Sequence, residues 1–217
     1  MKAICPASHS KRKPSGEKEL EIELEHIEAP VYSKVELEQY RTPPYIAARL
    51  VYFAWRMGDI EKKTVADLGC GTGILGIASA MMGASKIICV DIDRSMLALA
   101  MKNARRMRVI CCMEFIQADL REKLGIEADT VVQNPPFGVR RRGADVLFLR
   151  RAVETARVVY SIHKRATRKF ILRKIEEIGG RVTHLIEAVM PIPPTMDFHR
   201  ELRHEVNVDM IRIEVVK

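Results

Sequence analysis

One rhythm constrains this chain more than any other feature. Short apolar runs, each closed by a polar or glycine-rich corner, alternate with helical patterns. Thr64 to Leu68 runs into Asp67-Leu68-Gly69-Cys70-Gly71-Thr72-Gly73, then a helical stretch from Ile74 to Met82 that stops at Gly83. Lys86 to Val90 ends in Asp91-Ile92-Asp93, ahead of a helix from Arg94 to Met107. Cys111 to Ile116 ends at Gln117-Ala118-Asp119-Leu120. Asp129 to Gln133 ends at Asn134-Pro135-Pro136-Phe137, with a helix expected from Asp145 to about Thr155. Strands alternating with helices at this pitch predict a parallel open sheet with helices on both faces. Further on, Arg157 to Ser161 is strand-like, and Arg165 to Ile178 reads as a basic amphipathic helix closed by Gly179-Gly180. Val182 to Val189 and Val206 to Val215 alternate as strands with no helix between them, which predicts a final antiparallel pair. The expected fold class is α/β: a Rossmann-like, doubly wound, mainly parallel sheet of seven strands.

The N-terminal part adds helices. Glu17 to Glu28 places Leu20, Leu24 and Ile27 at helical spacing, and Pro43-Pro44 can open a helix from Tyr45 to Met57. Residues 1–16, with Lys11-Arg12-Lys13, read as a basic flexible tail, and 17–217 as a single domain with an N-terminal helical extension. A length of 217 residues suits one core. No apolar run approaches the roughly 20 residues of a bilayer span, and the N-terminus has no apolar leader segment. The five cysteines form no CxxC pair, which suggests reduced, buried thiols in the cytoplasm and no metal site. The net charge of +8 favours a polyanionic partner. Cations concentrate just past the Asn-Pro-Pro-Phe corner: Arg140, Arg141, Arg142, Arg150, Arg151, Lys164, Arg165, Arg168 and Lys169. The plain alternative is a merely basic soluble protein.

In an open α/β sheet a ligand binds beyond the carboxyl ends of the strands, where strand order reverses. Glycines let the first loop turn sharply and approach a ligand closely. The spacing Gly69-x-Gly71-x-Gly73 departs from the dinucleotide fingerprint GxGxxG. Asp67 stands at the end of the first strand. Asp91, at the end of the second, is placed to hold ribose hydroxyls, and Asp119, at the end of the third, to accept from an adenine amino group. No cation stands where a 2′-phosphate would need one, and no pyrophosphate-binding lysine follows the glycines. These features fit a nucleoside without a phosphate chain, such as S-adenosylmethionine. The two prolines make a stiff, non-helical corner that holds the Asn134 side chain and presents the Asn134 and Pro135 carbonyls. With Phe137 as a flat face, Asn134, Pro135, Pro136 and Phe137 form a receptor for a planar group bearing an NH2. The bland reading is a Pro-Pro turn with a core phenylalanine.

These motifs together resemble those of the class I S-adenosylmethionine-dependent amino-methyltransferases. Leu37-Glu38-Gln39-Tyr40-x-Thr42, Ile46-Ala47-Ala48-Arg49, Tyr160-Ser161-x-His163-Lys164 and Pro193-x-x-x-x-Phe198-His199 narrow the likeness. They resemble the methyltransferase-like protein five family of adenine N6-methyltransferases of small-subunit ribosomal RNA, in an archaeal-type member. The resemblance implies that Gln39 and Thr42 cover the cofactor, and that Gly69, Thr72 and Ile74 line its methionine and ribose side. It implies Asp91 at the ribose, Asp119 and Leu120 at the adenine, and Asn134 between cofactor and target base. It also implies a small zinc-containing activator protein on the edge strand, residues 111–116. His199 is a further candidate RNA contact. Competing expectations are a protein glutamine or DNA adenine amino-methyltransferase, or a non-catalytic rRNA-binding assembly factor.

Overall fold

A computed structural model of the protein describes residues 12–30, 42–137, 143–192 and 204–216. Six α-helices and seven strands alternate through these residues. Helices α1 (Glu17–Leu24) and α2 (Pro44–Arg56) precede β1 (Thr64–Leu68). Then come α3 (Ile74–Met81), β2 (Lys86–Asp91), α4 (Arg94–Arg106), β3 (Met113–Gln117) and β4 (Thr130–Gln133). Helix α5 (Ala144–Thr155), β5 (Val158–Lys164), α6 (Arg168–Glu177), β6 (Gly180–Ile192) and β7 (His204–Val215) complete the order. The strands form one sheet in the order β3-β2-β1-β4-β5-β7-β6. The first five pair in parallel, whereas β7 is antiparallel to both β5 and β6. Strand order reverses between β1 and β4, so the glycine loop after β1 and the Asn-Pro-Pro-Phe corner after β4 open side by side.

The central strands read as continuous apolar runs because both faces of the sheet are covered. On one face Val65, Ile87, Cys89 and Val132 pack with residues of α1, α2, α3 and α4. On the other, Ala66, Ile88, Val131 and Val159 pack with Leu149 of α5 and Ile171 and Ile175 of α6. Leu20, Leu24 and Ile27 are buried together in the first of these clusters. Burying each such side chain stabilises the fold by about 2 kcal/mol. None of the described helices is long and apolar enough to cross a membrane.

Several boundaries differ from the sequence reading. Helix α1 stops at Leu24, and a turn carries the chain on, with Ile27 N–H donating to the Leu24 carbonyl at 3.1 Å. Residues 110–112 form a 3-10 turn, and β3 starts only at Met113, where Ile87 near the start of β2 first offers a partner. Strand β3 is at the sheet's edge. Strand β5 runs on to Lys164 because β7 supplies partners through Lys164↔Val208. The basic helix then starts at Arg168, after a 3-10 turn at Arg165–Thr167. Cys70, Cys89 and Cys112 are free thiols, but Cys111 is disulfide-bonded, which corrects the expectation of reduced thiols throughout. Spacing alone could not reveal that bond.

Candidate active site

The glycine loop is built on backbone that only glycine adopts at ease. Gly69, Gly71 and Gly73 have φ of 67°, 53° and 79°. The N–H groups of Gly69 and Cys70 both donate to the Val90 carbonyl, at 2.8 and 3.0 Å, which ties the loop to the end of β2. A Cβ at Gly69 would lie 2.6 Å from the Phe148 ring, so α5 closes directly over the loop. Asn103 of α4 secures the far side. It is fully buried, donates to the Thr72 carbonyl at 3.0 Å, and exchanges hydrogen bonds with the backbone of Glu28. Asn103 thereby fixes both Thr72 and the segment leading to Pro30.

Two buried carboxylates organise the loop from beneath. Asp67 Oδ2 accepts from the Gly76 N–H at 2.8 Å, inside the first turn of α3. Burial pushes its carboxyl up to about 7, with the Gly76 bond opposing and the nearby Asp91 charge reinforcing. Asp91 accepts from Gly71 N–H at 2.8 Å and from Asp93 N–H at 2.9 Å, one on each oxygen. Burial also raises the Asp91 carboxyl. Each of its oxygens keeps acceptor capacity for a further donor. Asp93 caps α4 through Ser95, at 2.9 Å to the backbone N–H.

One cavity of about 410 Å³ lies above these groups. Thr42, Asp67, Gly69, Gly71, Thr72, Ile74, Asp91, Asp119, Leu120 and Asn134 all line it. So do residues that the sequence does not mark as part of a site: Pro30, Ile92, Met96, Arg121, Leu147 and Phe148. Phe148 and Leu147 read as ordinary apolar positions on a helix, so no local signal marked them. Asp119 is engaged by Arg121, whose backbone N–H donates to Oδ1 at 2.9 Å and whose guanidinium donates to Oδ2 at 2.8 and 2.5 Å. The loop they share is braced from α5. Arg151 donates to the carbonyls of Leu120 at 2.8 Å and Arg121 at 2.9 Å. Arg151 sits in the run of cations past the corner, yet its guanidinium is spent on those two carbonyls and on Glu154, at 2.5 Å.

Asn134 and Pro136 line the same cavity wall, while Pro135 and Phe137 are buried. The Asn134 Nδ2 donates to Thr42 Oγ1 at 2.9 Å. Its Oδ1 is buried and has no hydrogen-bond partner. Phe137 is not an open plate: it is 9% exposed and belongs to the core cluster, with the Lys164 ammonium 5.1 Å from its ring centroid. An apolar ring at the end of a covered strand gains more by turning inward than by facing water.

The cations beyond the corner divide. Arg168 pairs with buried Asp209 at 2.6 Å and Glu187 at 2.7 Å, and Arg165 pairs with Glu187 at 3.0 Å. Lys169 is exposed. His163 is buried, its Nε2 lying 2.7 Å from Ser161 Oγ, which in turn accepts from Gln133 at 3.0 Å. Burial pushes the His163 imidazole down to about 4, so it is neutral at neutral pH. Gln39, Arg140, Arg141, Arg142 and His199, with most of the basic tail, lie outside the described residues.

Known proteins share this arrangement. The methyltransferase small domain family matches residues 50–161. The rRNA N6-adenosine-methyltransferase Mettl5 of Drosophila melanogaster is 35% identical over 205 residues, covering 91% of this chain and 96% of that protein. An uncharacterised protein of Methanocaldococcus jannaschii is 37% identical over 206 residues, 91% of this chain and 93% of its own. A crystal structure of a candidate RNA methyltransferase from Pyrococcus horikoshii superposes with a TM-score of 0.86 at 38% identity, covering 93% of this chain and 98% of that one. Likeness at this identity, sustained over nine-tenths of the length, makes this chain a member of the METTL5 family of methyltransferases.

Proposed function

We propose that this protein transfers a methyl group from S-adenosylmethionine to the exocyclic N6 amine of an adenine in small-subunit ribosomal RNA. The observation that carries the reading is Asn134, which lines the same cavity as Asp91 and Asp119 and whose buried Oδ1 has no hydrogen-bond partner. An unpaired buried acceptor is destabilising by about 1–3 kcal/mol, and an incoming N–H relieves that. The names of the fly and zebrafish relatives, both rRNA N6-adenosine-methyltransferases, support the same substrate class.

The residues present suit the cofactor. Asp91 keeps acceptor capacity, which suits ribose hydroxyls; Asp119 and Leu120, on the same cavity, are the residues assigned to the adenine; and Ile92, Met96 and Phe148 give apolar walls. When bound, the cofactor supplies a methyl group on a sulfonium and is left as a neutral thioether once the amine nitrogen has taken it. Asn134 Oδ1 accepts one N–H of the amine and turns its lone pair toward the methyl. The proton the amine sheds passes to solvent. Rate comes mainly from positioning, without a strong base. The target adenine must be unpaired or flipped to enter. Phe137 stiffens the corner from within, and stacking of the base on it requires Lys164 to leave the ring face. Lys169 and the residues around it supply phosphate contacts, so binding weakens with salt. A small activator protein adds a strand to β3, which among the described residues pairs with β2 alone.

The test offers labelled S-adenosylmethionine with small-subunit ribosomal RNA, DNA and protein. Label recovered as N6-methyladenosine from the RNA is the expected result, and Asn134→Ala abolishes it while cofactor binding persists by calorimetry. Label in DNA or glutamine, or none at all, overturns the reading.

A further inference from the structure

Thr42 and Asn134 are 92 positions apart in sequence, yet each stands immediately before two prolines. The first is Thr42-Pro43-Pro44, which opens α2; the second is Asn134-Pro135-Pro136, which closes β4. A residue before proline is excluded from helical backbone, and each proline fixes its own φ. Both side chains therefore leave stiff backbones in fixed directions. The prolines of the first corner are anchored by α2, whose Ile46, Ala47, Leu50 and Val51 are all buried. Pro135 is buried behind the second. The two side chains meet on the cavity wall, where Asn134 Nδ2 donates to Thr42 Oγ1 at 2.9 Å. Thr42 is 6% exposed, so water does not compete freely for that bond.

A side-chain amide has one acceptor and one donor end, and only one end suits an amine substrate. With the donor end held by Thr42, the oxygen is left facing elsewhere, buried and unpartnered. Turned over, the amide would present its own hydrogens to the hydrogens of the amine. Donor would then meet donor, and the lone pair of the amine would not be aimed.

We infer that Thr42 is a positioning residue for methyl transfer: its hydroxyl oxygen accepts from the Asn134 amide nitrogen and so keeps the amide oxygen turned toward the target amine. This rests on the proposed function and gives Thr42 a task beyond covering the cofactor. The two proline corners act as a jaw, one supplying the acceptor and the other aiming it. Threonine or serine serves; valine, with the same outline and no lone pair, does not.

The test uses the full chain as wild type, Thr42→Val and Thr42→Ser. Single-turnover methyl transfer to small-subunit ribosomal RNA is measured at saturating labelled cofactor, with cofactor affinity taken separately by calorimetry. Thr42→Val is expected to lose roughly 100-fold in rate, the scale of a misaimed reacting group, while binding cofactor close to wild type. Thr42→Ser is expected to recover most of the rate. Thr42→Val transferring at the wild-type rate overturns the inference. So does a defect that higher cofactor concentration removes, because that is the signature of a covering residue alone. Should Thr42→Val melt early, Thr42→Ala is read by the same criteria. A wild-type chain that labels no adenine overturns the proposed function, and this inference with it. A wild-type chain that labels adenine beside an unimpaired Thr42→Val overturns the inference alone.

Discussion

Asp67→Asn removes a buried titration while keeping the side chain's outline and an acceptor for the Gly76 N–H. The wild-type carboxyl is 1% exposed and pushed from 3.8 up to about 7, mainly by burial. Below pH 4 it is neutral in both folded and unfolded chains and its effect on stability is constant. Between pH 4 and 7 the unfolded chain releases this proton and the folded chain holds it. Each pH unit across that window removes about 1.4 kcal/mol of stability, and the whole window about 4 kcal/mol. Above pH 7 the loss is complete and the contribution is flat again. Asp91 shifts in the same direction and steepens the fall. His163 works the other way. Its folded value is lowered from 6.5 to about 4, so its contribution is present above pH 6.5 and lost as pH falls toward 4. The Asp67 and His163 slopes nearly cancel, so the wild-type stability curve from pH 4.5 to 6.5 is expected to fall only by what Asp91 contributes.

Asp67→Asn unmasks the histidine: its stability should rise with pH across that interval, and at pH 8 it should lose little or gain relative to wild type. The assay is urea unfolding at half-unit steps from pH 4.5 to 8.5, read as the difference between variant and wild type. A difference that does not change by more than about 1 kcal/mol across the window would refute the reasoning, because it would mean the buried carboxyl does not titrate there. Bound cofactor provides a second check. A positive sulfonium near Asp67 favours the ionised carboxylate, so wild-type affinity for S-adenosylmethionine should rise through pH 7. Affinity for the neutral thioether product should rise less, and both should flatten in Asp67→Asn.

Two further outcomes follow from the same groups. His163→Gln should remove about 3 kcal/mol of acid-side loss between pH 6.5 and 4, leaving a curve that falls steadily with pH in the same urea series. Arg151→Ala should weaken cofactor binding roughly tenfold, about 1.4 kcal/mol, by freeing the Leu120 and Arg121 carbonyls. It should leave the salt slope of RNA binding unchanged in filter-binding titrations; a shallower slope would make Arg151 a phosphate contact instead.

The rhythm of apolar runs and polar corners determined the doubly wound sheet, because strands covered on both faces leave few polar positions until they end. Gly69, Gly71, Asp91, Asp119 and Asn134 are legible as residues at strand ends for the same reason, and the structure brings them to one cavity. Phe137 reads as an open plate but is buried. Nothing in Asn-Pro-Pro-Phe says which way the ring turns; the core beneath it decided that. Arg165 and Arg168 read as free cations in a basic stretch, but their partners, Glu187 and Asp209, are distant in sequence. Charge along a chain records the presence of a cation and never what neutralises it. The bond from Asn134 to Thr42 is the sharpest case. Composition and spacing fixed two stiff corners, one ahead of a helix and one at the end of a strand. Only packing α2 against the sheet brought their side chains within hydrogen-bonding distance, because that contact depends on burial of residues far from either corner.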